Sequence, residues 1–235
     1  MKTPRNFWVA IACLSALSIG GCIESQATQV NQKPFETQEL DACLAVVVDM
    51  SGSFHDQWDD RAYTLFLQLI DRFFTEGMGS ESRVVLGQLS DNQNAILFEG
   101  TPAEMRRRFR SPEELNEFLK ANSDPKSSPV FEATGKTVEF MSSMPGVTER
   151  TRLLTVVLSD MADSEQDPET RSQKGFQMLD SLKRYRAQGG GLALYFVSQE
   201  ETARWRRILS DAGFEPGQYV IEHEMVANAQ LPRFD

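Results

Sequence analysis

Seven consecutive apolar residues at 42–48 stop abruptly at Asp49, and a second, nearly unbroken run at 153–158 stops at Ser159-Asp160. Neither run alternates with polar residues, so each predicts a strand covered on both faces, as in a parallel sheet. Residues 56–76 instead carry apolar side chains at helical spacing, with Tyr63, Phe66, Leu67, Ile70, Phe73 and Phe74 on one face. Residues 83–89 and 95–98 read as strands on either side of the turn residues Asp91-Asn92-Gln93-Asn94. Thr101-Pro102, Ser111-Pro112 and Ser128-Pro129 each look like a capping hydroxyl followed by proline at the start of a helix. The third of these helices runs to about Met144, before Pro145-Gly146. Helix 169–188 ends in three glycines, strand 192–197 follows, helix 200–212 stops at Gly213, and a short strand covers 219–221. This alternation predicts one doubly wound α/β domain over 41–235, with a mostly parallel central sheet flanked by helices.

The N-terminus has a different character. Lys2 and Arg5 precede an apolar stretch at 7–19, and Gly20-Gly21-Cys22 follow. A basic start, a short apolar run and small residues read as a secretory signal at 1–21. About 13 residues are too few to cross a bilayer of roughly 30 Å as a helix. Ile19-Gly20-Gly21-Cys22 resembles a bacterial lipobox, which implies that Cys22 is acylated and becomes the mature N-terminus. Ile23 in place of Asp after that cysteine resembles outer-membrane rather than inner-membrane lipoproteins. Residues 22–40 are polar and Gln-rich and read as a tether. Cys43, within the first apolar run, is expected to be a buried small hydrophobe.

Composition narrows the function. The 235 residues are 40% hydrophobic and 25% charged, which excludes fibrous and wholly disordered chains. The formal charge of −10 becomes −12 once the signal is removed, which argues against nucleic acid as the partner. The same balance predicts that membrane attachment comes from lipid and not from a basic patch. Two histidines and three cysteines leave no room for a His-rich zinc site or a disulfide framework.

The candidate chemistry sits where the two buried strands end. Asp49-Met50-Ser51-Gly52-Ser53 places a carboxylate and two hydroxyls on alternate residues, an oxygen set suited to a hard cation. Read alone, the segment is equally an N-capping loop. Asp160 ends the second run, and ligands of doubly wound sheets bind beyond strand ends at the point where strand order reverses. If the two strands are neighbours there, Asp49 and Asp160 stand side by side, and a divalent cation offsets their repulsion. A third segment, Lys126-Ser127-Ser128-Pro129-Val130-Phe131-Glu132-Ala133, is by itself a plain N-cap at Ser128.

Together the three segments resemble the von Willebrand factor A (vWA) domain and its metal-ion-dependent adhesion site. The family's Asp-x-Ser-x-Ser falls on Asp49, Ser51 and Ser53, its later Thr on Ser128, and its final Asp on Asp160. The resemblance covers about residues 41–221 and implies Mg²⁺ or Mn²⁺, with Ca²⁺ also compatible. It implies hydroxyls bound directly to the metal, aspartates often acting through water, and one open position for an acidic side chain of a protein partner. Two departures stand out: Ser replaces Thr at 128, where Ser127 is an alternative ligand, and Met161 occupies a position where Gly is frequent.

The overall expectation is a lipid-anchored protein of a bacterial envelope, facing periplasm or exterior, that binds a partner through the cation and is not an enzyme. One alternative is a metal-dependent phosphohydrolase with Asp49 as nucleophile, against which Ser51 stands where that chemistry needs a second carboxylate. The chain has no phosphate-cradling Gly-Lys-Ser/Thr loop and no nucleophile elbow. Another alternative keeps the fold with a vestigial site and partners bound on helix faces. His55 and the acidic loop Asp163, Glu165, Asp167 and Glu169 read as solvated, and the Arg-rich stretches 106–110 and 204–207 as helix surfaces.

Overall fold

A computed structural model describes residues 38–51, 54, 58–76, 79–89, 94–123, 126–223 and 230. The expected signal peptide, Cys22 and most of the tether lie outside the described residues, as do Ser53 and His55.

Strand β1 (Ala42–Val48) is flanked by β2 (Ser82–Gln88) and β4 (Arg152–Leu158), both parallel to it. Beyond β2 lies β3 (Ile96–Gly100), antiparallel, and beyond β4 lie β5 (Gly191–Tyr195) and β6 (Tyr219–Glu222), both parallel. The order β3-β2-β1-β4-β5-β6 means that the chain builds outward from β1 in one direction, then returns to its other side at β4. The switch point of the sheet therefore lies between β1 and β4, as expected.

All seven residues of β1 are buried because both faces are covered. Cys43, Ala45 and Val47 face the layer of helices α4 (Val130–Ser143), α5 (Pro168–Ala187) and α6 (Gln199–Asp211). Leu44, Val46 and Val48 face α1 (Tyr63–Thr75), α2 (Pro102–Arg108) and α3 (Pro112–Ala121). Burial pushes the Cys43 thiol up to about 12, so it is an inert core residue.

Thr101 and Ser111 cap α2 and α3 as their sequences predict, each accepting a bond from the backbone N–H three residues on. The helix expected over 56–76 is instead a wide π-type turn, Trp58–Ala62, leading into α1. There the Trp58 Nε1–H donates to Asn116 Oδ1 at 2.7 Å, fixing the turn against α3. At the opposite, N-terminal edge of the sheet, Leu40 is buried and its N–H donates to the Gly146 carbonyl at 2.8 Å. Its own carbonyl accepts from Thr151 Oγ1 at 2.7 Å, so the folded unit takes in residues that the sequence pattern assigns to the tether.

Candidate metal site

Parallel pairing carries β1 one residue past its end: the Asp49 N–H donates to the Leu158 carbonyl at 3.0 Å. That register sets Asp49 beside Ser159 and next to Asp160, the juxtaposition on which the sequence reading depended. Asp49 is fully buried. Its Oδ1 accepts from the Ser51 N–H at 2.8 Å and its Oδ2 from the Ser159 hydroxyl at 2.7 Å. Among the described residues no Lys, Arg or His forms an ion pair with it. A buried carboxylate is normally paired or coordinates a metal, because desolvation otherwise penalises the charge heavily.

Ser159 was not singled out by its sequence context. Its hydroxyl donates to Asp49 and accepts from the Met161 N–H at 2.8 Å, locking the β1 carboxylate to the turn that carries Asp160. Its position directly after a buried strand, beside Asp160, was the available signal. Asp160 is half-buried, and its Oδ1 accepts from the Ala162 N–H at 2.9 Å. The next residue, Met161, is fully buried with φ 64°, a left-handed conformation that a non-glycine side chain disfavours.

Ser128 reaches the same corner from the third segment. Its N–H donates to Ser164 Oγ at 2.8 Å and its carbonyl accepts from the Ser164 N–H at 3.0 Å, stitching it to the loop after Asp160. The expected N-cap role at Ser128 is not what forms. Helix α4 begins at Val130, and no local side chain caps it. Asp163 takes the role instead, accepting from the Phe131 N–H at 2.9 Å. The Ser128 hydroxyl is buried and, among the described residues, has no hydrogen-bond partner. Ser127 is half-buried beside it.

The acidic loop expected to be solvated is also committed to structure. The Asp163 side chain is only 1% exposed, and its Oδ1 additionally accepts from the Glu165 N–H. The Lys174 ammonium, hydrogen-bonded to Glu165 at 2.9 Å, holds that carboxyl below its usual range. Asp167 caps α5 by accepting from the Thr170 N–H.

Phe54 is tied back to Ser51. The Phe54 N–H donates to the Ser51 carbonyl at 2.9 Å, and the Phe54 ring meets Phe196 edge-on at 5.4 Å. Asp49, Ser51, Ser128 and Asp160 are thus tied to one corner of the sheet, and Ser53 lies outside the described residues. Among the described residues no group of three or more carboxylate, imidazole or thiolate side chains converges, and the oxygens gathered at this corner are those of hydroxyls and carboxylates. Hard cations such as Mg²⁺ and Mn²⁺ take that set, retaining water to complete their shells.

No family model and no curated protein sequence matches the chain. Solved structures do resemble it. The pilus adhesin SpaC from Lactobacillus rhamnosus GG, in its open conformation, superposes with a TM-score of 0.55 at 12% identity, over 81% of this chain and 28% of the adhesin. The Rpn10 VWA domain gives 0.51 at 9% identity, over 81% of this chain and 90% of that domain. Manganese-loaded TRAP protein from Plasmodium vivax gives 0.51 at 14% identity, over 80% and 70%. This chain therefore spans little more than a quarter of the adhesin's length. At these identities the likeness is one of fold: the described residues form a vWA-type α/β domain.

Proposed function

We propose that this chain is a lipid-anchored envelope protein whose vWA-type domain binds a protein partner through a divalent cation. Asp49, Ser51, Ser53, Ser128 and Asp160 would hold the ion. The observation that carries the reading is the Ser128 hydroxyl, buried without a hydrogen-bond partner among the described residues, at the corner where the buried Asp49 carboxylate is fixed by hydrogen bonds with no ion pair among those residues. A hydroxyl left bare in an interior is costly unless a ligand completes it.

Mg²⁺ or Mn²⁺ bound there would supply a Lewis-acidic attraction for an oxygen donor, and Ca²⁺ fits the same oxygen set. The two carboxylates balance a doubly charged ion, so a third carboxylate brought by the partner is not repelled. For a chain whose formal charge is −10, such an ion gives an acidic partner a point of attraction. Ser159 positions the Asp49 carboxylate, and Ser164 positions Ser128. The role is binding rather than turnover, because Ser51 stands where a phosphohydrolase with Asp49 as nucleophile would need a general acid. The manganese held by TRAP and the adhesive role named for SpaC support the reading by analogy of fold.

Attachment would come through acylated Cys22. Among the described residues no helix is long and apolar enough to cross a membrane. The resemblance of residues 19–22 to a lipobox supports placement at the cell envelope.

The test is calorimetric titration of Mn²⁺ and Mg²⁺ into the chain from residue 23, beside Asp49→Ala. Saturable one-to-one binding is expected in the parent and none in the variant, with the circular dichroism of both unchanged. A folded parent that binds neither ion, or a variant that binds as well as the parent, overturns the reading.

A further inference from the structure

The formal charge hides a local concentration of the opposite sign. Arg106, Arg107, Arg108 and Arg110 fall within five residues at the end of α2 and all four are exposed. Among the described residues none of the four guanidiniums has a carboxylate within ion-pair distance, whereas Arg72, Arg83, Lys120, Lys136, Lys174 and Arg204 each have one. Two acids of this surface are turned to the backbone, while Asp71 lines the groove beside Arg106 and Arg110. Glu104 accepts from the Thr101 N–H at 2.7 Å, and Glu114 from the Arg110 N–H at 2.6 Å.

Aromatic rings hold two of the arginines instead. Arg106 lies 4.6 Å over the Phe74 ring, and Arg108 lies 5.3 Å and 5.4 Å over Phe109 and Phe118. A guanidinium stacked on a ring spends its face on the contact and keeps its in-plane N–H fork free, the edge that matches phosphate oxygens.

Position in the fold supplies the second observation. Gly100, the last residue of β3, pairs with Val84, close to where β1 and β2 begin. Helix α2 follows within two residues, and its seven residues extend only about 10 Å. The chain also enters the fold at that edge, through Leu40 and Asp41. The candidate metal corner is at the other end of β1, about 20 Å away. Cys22 precedes Gln38 by about 16 residues, a length of chain that spans at most roughly 55 Å.

From charge and placement together we infer that the arginine cluster at the end of α2 rests on an anionic phospholipid surface and holds the metal corner away from the bilayer. The inference builds on the proposed anchor at Cys22: the acyl group attaches the chain and the arginines orient it. It adds a basic cluster to the expectation that membrane attachment comes from lipid and not from a basic patch, since α2 concentrates positive charge that the total conceals. One acyl-type signal combined with a basic patch is a general way of fixing a protein to a bilayer.

The test is co-sedimentation of the unacylated chain from residue 23 with vesicles. The described core lies wholly within residues 38–223, so this chain retains the folded unit. Vesicles of phosphatidylcholine alone are compared with vesicles containing about one-third phosphatidylglycerol, since a basic side chain near such a surface contributes about fivefold in partitioning. The parent is expected to prefer the anionic vesicles and to lose that preference as salt rises. The variant R106Q/R107Q/R108Q/R110Q is expected to lose on the order of several hundredfold in partitioning. The matching quadruple Arg→Lys variant, which keeps the charge, should retain most of it, so a folding defect is distinguished from a lost patch.

Equal binding of parent and Gln variant, indifference of the parent to lipid charge, or binding of poly-glutamate with none to anionic vesicles each overturns the inference. Mass measurement of the membrane-extracted chain tests the anchor separately. Acylated Cys22 with no anionic preference overturns the arginine cluster alone, and unacylated Cys22 with the preference intact overturns the anchor alone.

Discussion

Replacing Ser128 by Ala should stabilise the cation-free protein, an unusual outcome for a buried substitution. The Ser128 hydroxyl is buried and, among the described residues, has no partner, so it carries a desolvation penalty of about 1–3 kcal/mol that no hydrogen bond returns. Deleting one oxygen opens a void of roughly ten cubic ångströms, costing only about 0.3 kcal/mol. The net is a gain of about 1 kcal/mol in chelator, or a rise of about 2–4 °C in Tm for a domain of this size. A saturating cation should invert the order. At a hundredfold excess over Kd the parent gains about 2.7 kcal/mol, whereas a variant binding a hundredfold more weakly gains about 0.4 kcal/mol. The assay is urea unfolding of parent and Ser128→Ala, each in EDTA and in excess Mn²⁺. A variant less stable than the parent in EDTA would show that the hydroxyl has a partner. Equal gains from Mn²⁺ would show that it is not a ligand.

Further outcomes follow from the same geometry. Ser159→Ala leaves the Asp49 Oδ2 and the Met161 N–H without their common partner, and should cost about 1–3 kcal/mol by urea unfolding while weakening cation affinity. Met161→Gly relieves about 1 kcal/mol of left-handed strain but empties a fully buried methionine worth about 2–5 kcal/mol, so the thermal midpoint should fall; a rise would mean that strain dominates. Burial holds the Glu222 carboxyl above its ordinary range, and among the described residues its Oε2 has no partner. A raised folded-state value means that its stability contribution is full below the unfolded pKa and is lost as pH rises through the folded one. Glu222→Gln should therefore be more stable than the parent at pH 7 and equal to it once the carboxyl is protonated, as pH-dependent urea midpoints would reveal.

Much of the architecture is legible in the chain itself because its decisive signals are local. The apolar runs ending at Asp49 and Asp160, the Thr101 and Ser111 caps, and the stops at Gly189 and Gly213 each fix an element within a few residues. The pairing of β1 with β4 follows from those runs once the sheet is doubly wound. What escaped detection depends on partners distant in sequence. Ser159 meets Asp49 across 110 positions, and Asp163 caps a helix that begins more than thirty residues earlier. The same long-range cap takes the helix N-terminus away from Ser128, so a hydroxyl that looks structural in its own segment is left without a structural task. Total charge conceals local charge in a related way. It averages over a chain in which many basic groups are matched by acids, while Arg106 and Arg108 lie over aromatic rings.

Anomalous diffraction from crystals grown with Mn²⁺ tests the central claim most directly. The expected result is one strong manganese peak bonded to Ser128 Oγ, with Asp49 and Asp160 beside it and water or a neighbouring carboxylate completing the shell. A manganese-saturated crystal whose peak lies elsewhere, or in which Ser128 Oγ is still bare, would contradict the cation site and the partner-binding mode built on it.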